Sequence, residues 1–182
     1  MFQHQWIEQA KENNRKAQLK LYRMYCDGMF GVAMRFLKNV EDAEDATQEA
    51  FIKAFRKLHQ YRGEVTFGAW LKKIVIHKCI DALKMKKEQE TALHENYIHI
   101  ADDENDWTVE DDGITVEDVK KAIVELPEKY RYVVMLYLVE GYDHSEISEI
   151  LNISETTSRT QLMRGKQKLR AQLTYTKNGT GH

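Results

Sequence analysis

The chain has 182 residues, 42% of them apolar, with three Trp, nine Tyr and six Phe. This composition predicts a globular protein with one domain of ordinary size or two small ones. The sequence contains no run of about 18 apolar residues, as a membrane span requires, and its N-terminal residues MFQHQWIEQAKENN lack a secretion signal. We therefore expect a cytoplasmic protein, whose two cysteines, Cys26 and Cys79, are reduced packing residues rather than a disulfide framework.

The charge is distributed in three blocks that the net charge of −2 conceals. Residues 1–87 hold 17 Lys and Arg against 10 Asp and Glu, residues 88–119 hold 12 acids and no Lys or Arg, and residues 120–182 hold 10 bases against 7 acids. Such asymmetry indicates two modules that attract polyanions, joined by an acidic segment. We predict domains at 1–87 and 119–182 with an acidic linker at 88–118, which acts either as a mimic of nucleic acid or as a solubilising tether.

The N-terminal module reads as helical throughout. From Ala43 to Leu58 the apolar residues recur at steps of three and four, and a second amphipathic pattern runs from Phe67 to Lys87. The loop HQYRGEVTF, punctuated by Gly63, separates these two helices. The chain has one proline and no strand-like alternation, so we predict an all-α protein.

The C-terminal module has the pattern of a helix-turn-helix. Pro127 suits the first turn of a helix that Gly141 ends, and Asp143 and Glu146 have the spacing of a capping box for the next helix. A three-residue turn then leads to Ser154, the predicted N-cap of a basic helix. Between Glu155 and Leu173 this helix has one acid and five bases, which fits either DNA binding or a solvated face.

A recognition helix presents its first residues to base edges and its later bases to phosphates. By position, the first group consists of Ser158, Arg159 and Gln161. The second group consists of Arg164, Lys166 and Lys168. Both groups are also compatible with an ordinary exposed surface.

Two long stretches resemble a known family. Residues 41–84, EDAEDATQEAFIKAFRKLHQYRGEVTFGAWLKKIVIHKCIDALK, resemble region 2 of the sigma-70 family in its extracytoplasmic-function (ECF) group. Residues 125–170, ELPEKYRYVVMLYLVEGYDHSEISEILNISETTSRTQLMRGKQKLR, resemble region 4 of that family. The resemblance implies a two-domain sigma factor without catalytic activity or cofactor, which binds core RNA polymerase and promoter DNA. It also implies an anti-sigma factor as a partner, membrane-anchored or not.

The resemblance assigns the outward face of the helix around residue 48 to polymerase. The family's DxxQE surface, which docks on the clamp-helix coiled coil of the enzyme, matches Asp45, Gln48, Glu49 and Ile52. Without the resemblance, a solvated acidic face would explain the same residues.

The resemblance assigns minus-ten DNA to the loop and to the helix that follows it. The family's specificity loop has an aromatic position that helps to receive a flipped base, and here that position is Tyr61, which core packing also explains. His77 stands where the family commonly has Asn, so the identity of the captured base stays open. The remaining residues of this predicted surface are Trp70, which core packing also explains, and three lysines that ordinary exposure also explains: Lys73, Lys78 and Lys84. Region 4 would read the minus-35 element as duplex.

Other classes of function have weaker support in the sequence. His77 and Cys79 lie two apart on a predicted helix and so point to different faces, while His94, His99 and Asp102 lie in the predicted linker, so we expect no metal site. The sequence has neither a phosphate-binding glycine motif nor a nucleophile with its base. A stand-alone helix-turn-helix regulator and a protein-binding adaptor bundle remain as alternatives.

Overall fold

A computed structural model describes residues 2–91 and 114–179, and within these ranges the backbone forms only helices and turns. The prediction of an all-α fold is therefore confirmed. Helices α1 to α4 form one compact unit and helices α5 to α8 form another. The helices are α1 (Phe2–Lys11), α2 (Arg15–Leu37), α3 (Val40–Lys57), α4 (Phe67–Thr91), α5 (Val116–Glu125), α6 (Glu128–Val134), α7 (His144–Leu151) and α8 (Glu155–Gly179).

The predicted acidic linker lies mostly outside the described residues, which lack 92–113. At its two ends, α4 continues to Thr91 and α5 begins at Val116, so the described helices extend into both margins of the predicted 88–118 segment. Among the described helices, none has the length and apolar character that crossing a bilayer requires.

The N-terminal unit is a bundle in which α2, α3 and α4 pack against one another in pairs. Asn39 caps α3 by accepting a hydrogen bond from the Asp42 amide at 2.9 Å, directly after Lys38 has turned the chain with a φ of 57°. The buried side of α3 is lined mainly by small residues, which let the neighbouring helices approach closely: Ala43, Ala46, Ala50 and Ala54. The opposite side of α3 is thereby left to solvent.

The C-terminal unit contains the predicted helix-turn-helix, formed by α7 and α8. Asp143 and Glu146 make the reciprocal hydrogen bonds of a capping box at the start of α7. Asn152 ends α7 in the left-handed conformation with a φ of 55°. Ser154 then accepts a hydrogen bond from the Thr157 amide at 3.0 Å, as its predicted N-cap role requires. The predicted capping box and the predicted N-cap at Ser154 are therefore confirmed.

The helix before the helix-turn-helix differs from its prediction in two details. Pro127 occupies the N-cap of α6, one residue before the predicted first turn, so its missing amide hydrogen leaves no helical bond unmade. At its other end, α6 widens into a π-helical turn at Met135–Val139, which Gly141 follows with a φ of 79°. The wider turn carries the side chain of Tyr137 to the ring of His144 at the start of α7.

The packing of α8 on α6 depends on a glycine. A Cβ atom added to Gly165 would lie 2.5 Å from Cγ2 of Val134 and 3.3 Å from Cβ of Tyr130. The two helices can therefore approach this closely only because position 165 has no side chain. Around this contact the core contains fully buried aliphatic residues, each of which contributes on the order of 1.5–3 kcal/mol through burial; among them are Leu126, Val133, Leu136 and Ile147.

Candidate protein and nucleic-acid interfaces

The outward face of α3 combines polar and apolar groups at helical spacing. All four residues predicted to contact polymerase are exposed, and Ile52 keeps 51% of its surface accessible. Their steps of three and four place them on one stripe, opposite the buried alanines. An exposed branched aliphatic side chain beside acids and an amide is suited to contact another protein. The four residues are Asp45, Gln48, Glu49 and Ile52.

Two ion pairs join α3 to α4. Nζ of Lys78 lies 2.8 Å from Oε2 of Glu49, and Nζ of Lys86 lies 3.5 Å from Oδ2 of Asp42. The structure therefore brings Glu49 of the predicted polymerase surface together with Lys78 of the predicted DNA surface. The charge of Lys78 is partly neutralised by this contact, which the sequence analysis did not foresee.

The predicted specificity loop is built around an aromatic cluster. The ring centroid of Tyr61 lies 5.3 Å from that of Trp70 and 5.7 Å from that of Phe67, which is buried. The hydroxyl of Tyr61 donates a hydrogen bond to the carbonyl oxygen of Val65 at 2.7 Å. The loop turns at Gly63 with a φ of 78°. Tyr61 is thus half-buried, with its ring and hydroxyl both held in place.

The basic residues of α4 differ in exposure. Lys73 and His77 lie four apart, on the same side of α4, and both are half-buried, whereas Lys84 is exposed. Trp70, two turns before His77, is half-buried beside the loop. These residues remain predicted contacts for minus-ten DNA.

The first turns of α8 correct one predicted contact. Ser158 is fully buried, and its hydroxyl lies 2.9 Å from Nδ1 of His144 on α7. Because its polar group faces the interior of the unit, the prediction that Ser158 contacts a base edge is wrong. Ser158 instead helps to fix α8 against α7.

The other predicted residues of α8 keep accessible surface. Arg159 is exposed, and its Nη2 donates to Oε2 of Glu155, one turn earlier, at 2.7 Å. Gln161 and Arg164 are half-buried, and Lys168 is exposed. The assignment of these residues to bases and phosphates stays a prediction.

Two residues that the sequence analysis missed share the exposed side of α8 with Arg159. Thr156 is exposed and Met163 has 48% of its surface accessible. Their positions, three residues before and four residues after Arg159, follow the helical period. That spacing was visible in the sequence, and Thr156 and Met163 are therefore further candidate base contacts.

The described cysteines and histidines do not form a metal site. In the parts of the chain that the structure describes, no three His, Cys, Asp or Glu side chains are grouped so as to hold a metal ion. Burial raises the pKa of the Cys79 thiol to about 12, which keeps the group protonated. The predicted linker residues His94, His99 and Asp102 lie outside the described residues.

Comparison with known proteins places each unit in a family. The model of sigma-70 region 2 matches residues 21–89, and the model of sigma-70 region 4 matches residues 117–169. The ECF RNA polymerase sigma factor SigW of Bacillus subtilis (strain 168) is 31% identical over 176 residues, which cover 92% of this chain and 94% of SigW. SigE of Mycolicibacterium smegmatis is 33% identical over 153 residues, which cover 83% of this chain and 59% of SigE.

A solved structure agrees with the fold. The sigma factor RpoE of Bartonella quintana, crystallised with the anti-sigma factor NepR, aligns with a TM-score of 0.56 over 85% of this chain and 95% of that chain. Its sequence identity of 18% makes this a likeness of fold alone. The two regional matches and the two relatives show that the chain belongs to the sigma-70 family. It is an ECF-type RNA polymerase sigma factor that directs promoter-specific transcription initiation.

Proposed function

We propose that this sigma factor uses three separate surfaces: one side of α3 for core RNA polymerase, the loop and α4 for the minus-ten element, and α8 for the minus-35 element. In this proposal residues 1–87 act as region 2, residues 119–182 act as region 4, and the acidic segment 88–118 joins them. The protein works in the cytoplasm, uses no cofactor and catalyses no reaction of its own.

The observation that carries the proposal is the exposed stripe on α3. Asp45, Gln48, Glu49 and Ile52 lie on one face, and this face matches the DxxQE pattern by which the family docks on polymerase. The carboxylates would meet cationic groups of the enzyme, while Ile52 would exclude water from the contact. Because the buried alanines are on the opposite side, changes to the stripe leave the core of the unit intact.

The aromatic cluster supports the proposed contact with separated DNA strands. A base that leaves the duplex loses its stacking, and an aromatic ring restores about 1–3 kcal/mol of that energy per base. Tyr61 presents such a ring on the loop, where its hydroxyl is held by the Val65 carbonyl, and Trp70 presents another at the start of α4. Basic side chains of α4 would then attract the phosphates of the open strand: Lys73, Lys78 and Lys84, with His77 beside them. Promoter opening follows from binding energy that duplex DNA cannot supply.

The exposed side of α8 supports the proposed reading of duplex DNA. Arg159 lies in the second turn of a capped helix, where a recognition helix meets base edges, and its guanidinium suits the two acceptors of guanine. Gln161 would contribute a further base contact, and Arg164 and Lys168 would contact phosphates. The Glu155 carboxylate holds Arg159 along the helix and would have to release or share it on binding.

An anti-sigma factor is the second protein partner that we propose. RpoE of Bartonella quintana was crystallised with the anti-sigma factor NepR, and it shares this fold. Such a partner would keep the sigma factor from polymerase until a signal releases it.

Polymerase docking can be tested with a double variant that neutralises Glu49 without placing a second positive charge beside Lys78. Glu49→Lys would place two ammonium groups side by side, so the better change is Gln48→Ala with Glu49→Gln. We expect this variant to fold normally and to lose co-purification with core polymerase. Glu88→Gln with Gln89→Ala, at exposed positions near the end of α4, is the matched control. Unchanged binding of the α3 variant would contradict the docking assignment, and promoter binding without polymerase would favour a stand-alone regulator.

A further inference from the structure

Three lysines of the C-terminal unit lie over tyrosine rings. Nζ of Lys129 on α6 is 4.8 Å from the ring centroid of Tyr130, and Nζ of Lys168 on α8 is 5.9 Å from the same centroid. Nζ of Lys166 is 5.5 Å from the ring centroid of Tyr137. Among the described residues, these three lysines have no carboxylate within ion-pair distance.

This arrangement differs from that of neighbouring cations. Lys120 is paired with Glu117 at 2.9 Å, and Arg159 is paired with Glu155 at 2.7 Å. A tyrosine ring attracts an ammonium group through its quadrupole but carries no net charge. A lysine held by a ring therefore keeps its full charge for an anion, whereas a lysine held by a carboxylate does not.

The ring that the two lysines share belongs to a buried residue. Tyr130 is 7% exposed, and its Cβ lies 3.3 Å from where a Cβ of Gly165 would be, so the residue is packed at the contact between α6 and α8. Lys129 and Lys168 are both exposed. Two uncompensated positive charges from different helices are thus gathered on one fixed aromatic platform.

We propose that Lys129 is a second phosphate-binding residue beside Lys168, so that contact with the DNA backbone extends from α8 onto α6 across the ring of Tyr130. The inference rests on the proposed function of α8 as the minus-35 reader. Lys168 already belongs to the proposed backbone contact, and Lys129 continues that surface through the shared ring. The expected ligand is a DNA phosphate, because neither ammonium group has a carboxylate partner and a phosphate supplies the negative charge.

The test compares three single changes in holoenzyme that binds a minus-35 duplex at several salt concentrations: Lys129→Gln, Lys168→Gln and the control Lys120→Gln. A protein that neutralises one fewer phosphate loses about one from the slope of log affinity against log salt. We expect this loss for Lys129→Gln and for Lys168→Gln, equally on matched and mutated sequences. Lys120→Gln should leave the slope unchanged, and Lys129→Arg should retain the wild-type slope.

The possible failures are distinguishable. If Lys168→Gln lowers the slope and Lys129→Gln does not, the contact of Lys129 with phosphate is refuted while the proposed function of α8 stands. If neither change lowers the slope and Arg159→Ala also leaves binding of the minus-35 duplex unchanged, the minus-35 function of α8 is refuted. The inference about Lys129 is then refuted with it. A loss of slope for Lys120→Gln as large as that for Lys129→Gln would show that ring-held lysines have no special role.

Discussion

Nζ of Lys78 lies 2.8 Å from Oε2 of Glu49, so one ion pair joins the proposed polymerase surface on α3 to the proposed DNA surface on α4. The Glu49 side chain keeps 61% of its surface accessible and that of Lys78 keeps 26%. Exposed pairs of this kind contribute about 0.2–1 kcal/mol, so the pair can open when a stronger partner arrives. Until it opens, the carboxylate lowers the attraction of Lys78 for phosphate.

The first prediction compares Lys78 with Lys84, which within the described ranges has no carboxylate partner. We expect Lys84→Met to lower the salt slope of binding to a forked minus-ten DNA by about one, because it removes a free charge. Lys78→Met should lower the slope by less, because Glu49 already neutralises that charge in part. The measurement is holoenzyme binding at several salt concentrations. Equal losses for the two variants would contradict the partial neutralisation of Lys78 by Glu49 in the holoenzyme.

The second prediction distinguishes base-specific contacts of α8 from its electrostatic contacts with the DNA backbone. Arg159→Ala should weaken binding to the cognate minus-35 duplex by about 1–3 kcal/mol and relax discrimination at the base that it contacts. Lys168→Ala should weaken binding to all sequences alike. Holoenzyme titrations on matched and mutated duplexes give both quantities.

The ion pair of Arg159 with Glu155 provides a control variant for this experiment. Glu155→Gln removes the competing carboxylate, so we expect binding as tight as wild type or tighter, with discrimination retained. If Arg159→Ala proves as blind to sequence as Lys168→Ala, Arg159 is not the reader. Thr156, Gln161 and Met163 would then be the residues to test.

Local signals in the sequence predicted the helices α3, α4 and α7 and the caps at Asp143 and Ser154, although α4 continues to Thr91 and Pro127 precedes the first turn of α6. The spacing of apolar residues along α3 follows from the backbone geometry of a helix alone. The capping box of Asp143 and Glu146 forms within one turn. The pairing of Glu155 with Arg159, four residues apart, was likewise open to prediction from spacing. These features need no knowledge of tertiary structure.

Contacts between helices escaped prediction because they depend on packing. Ser158 is buried because α7 places His144 against it, 14 residues earlier in the chain. Lys78 contacts Glu49 because of the way in which α3 packs against α4. Lys129 and Lys168 lie near each other because both ammonium groups contact the ring of Tyr130. No local pattern in the sequence specifies these distances.

The third prediction concerns the glycine between α6 and α8. Gly165→Ala should destabilise the C-terminal unit by about 1–3 kcal/mol, because its Cβ would collide with Val134. Gly31→Ala is the control, since its Cβ would meet nothing within 4 Å. In the interior of α2 that change should be neutral or stabilising by about 0.5–1 kcal/mol.

Hydrogen exchange distinguishes the two glycine variants by location. Peptides from α6 and α8 should lose protection in Gly165→Ala, while peptides from α2 keep theirs, since the helices belong to separate compact units. Wild-type protection of α6 and α8 in Gly165→Ala would contradict the close approach of these helices.

The fourth prediction concerns the two thiols of the N-terminal unit. Cys79 is fully buried, and Cys26 is half-buried on α2. Burial raises the pKa of Cys79 from 9.0 to about 12, and burial together with the Asp27 carboxylate raises the pKa of Cys26. Because the thiolate is the reactive form, both thiols react slowly, and Cys79 is also shielded from reagent. At pH 8, Ellman's reagent should therefore titrate one thiol in the folded protein, and the second only after unfolding.

The pH dependence of stability follows from the same shift. Below pH 9 the Cys79 thiol is neutral in the folded and unfolded states, so it imposes no penalty on folding. Between pH 9 and 12 the unfolded chain releases this proton while the folded protein retains it, so the free energy of unfolding must fall as the pH rises. Cys26→Ser should abolish the titration in the folded protein and leave the part of the alkaline loss that Cys79 contributes. Two thiols that react at once in the folded wild type would contradict the burial of Cys79 in the core of region 2.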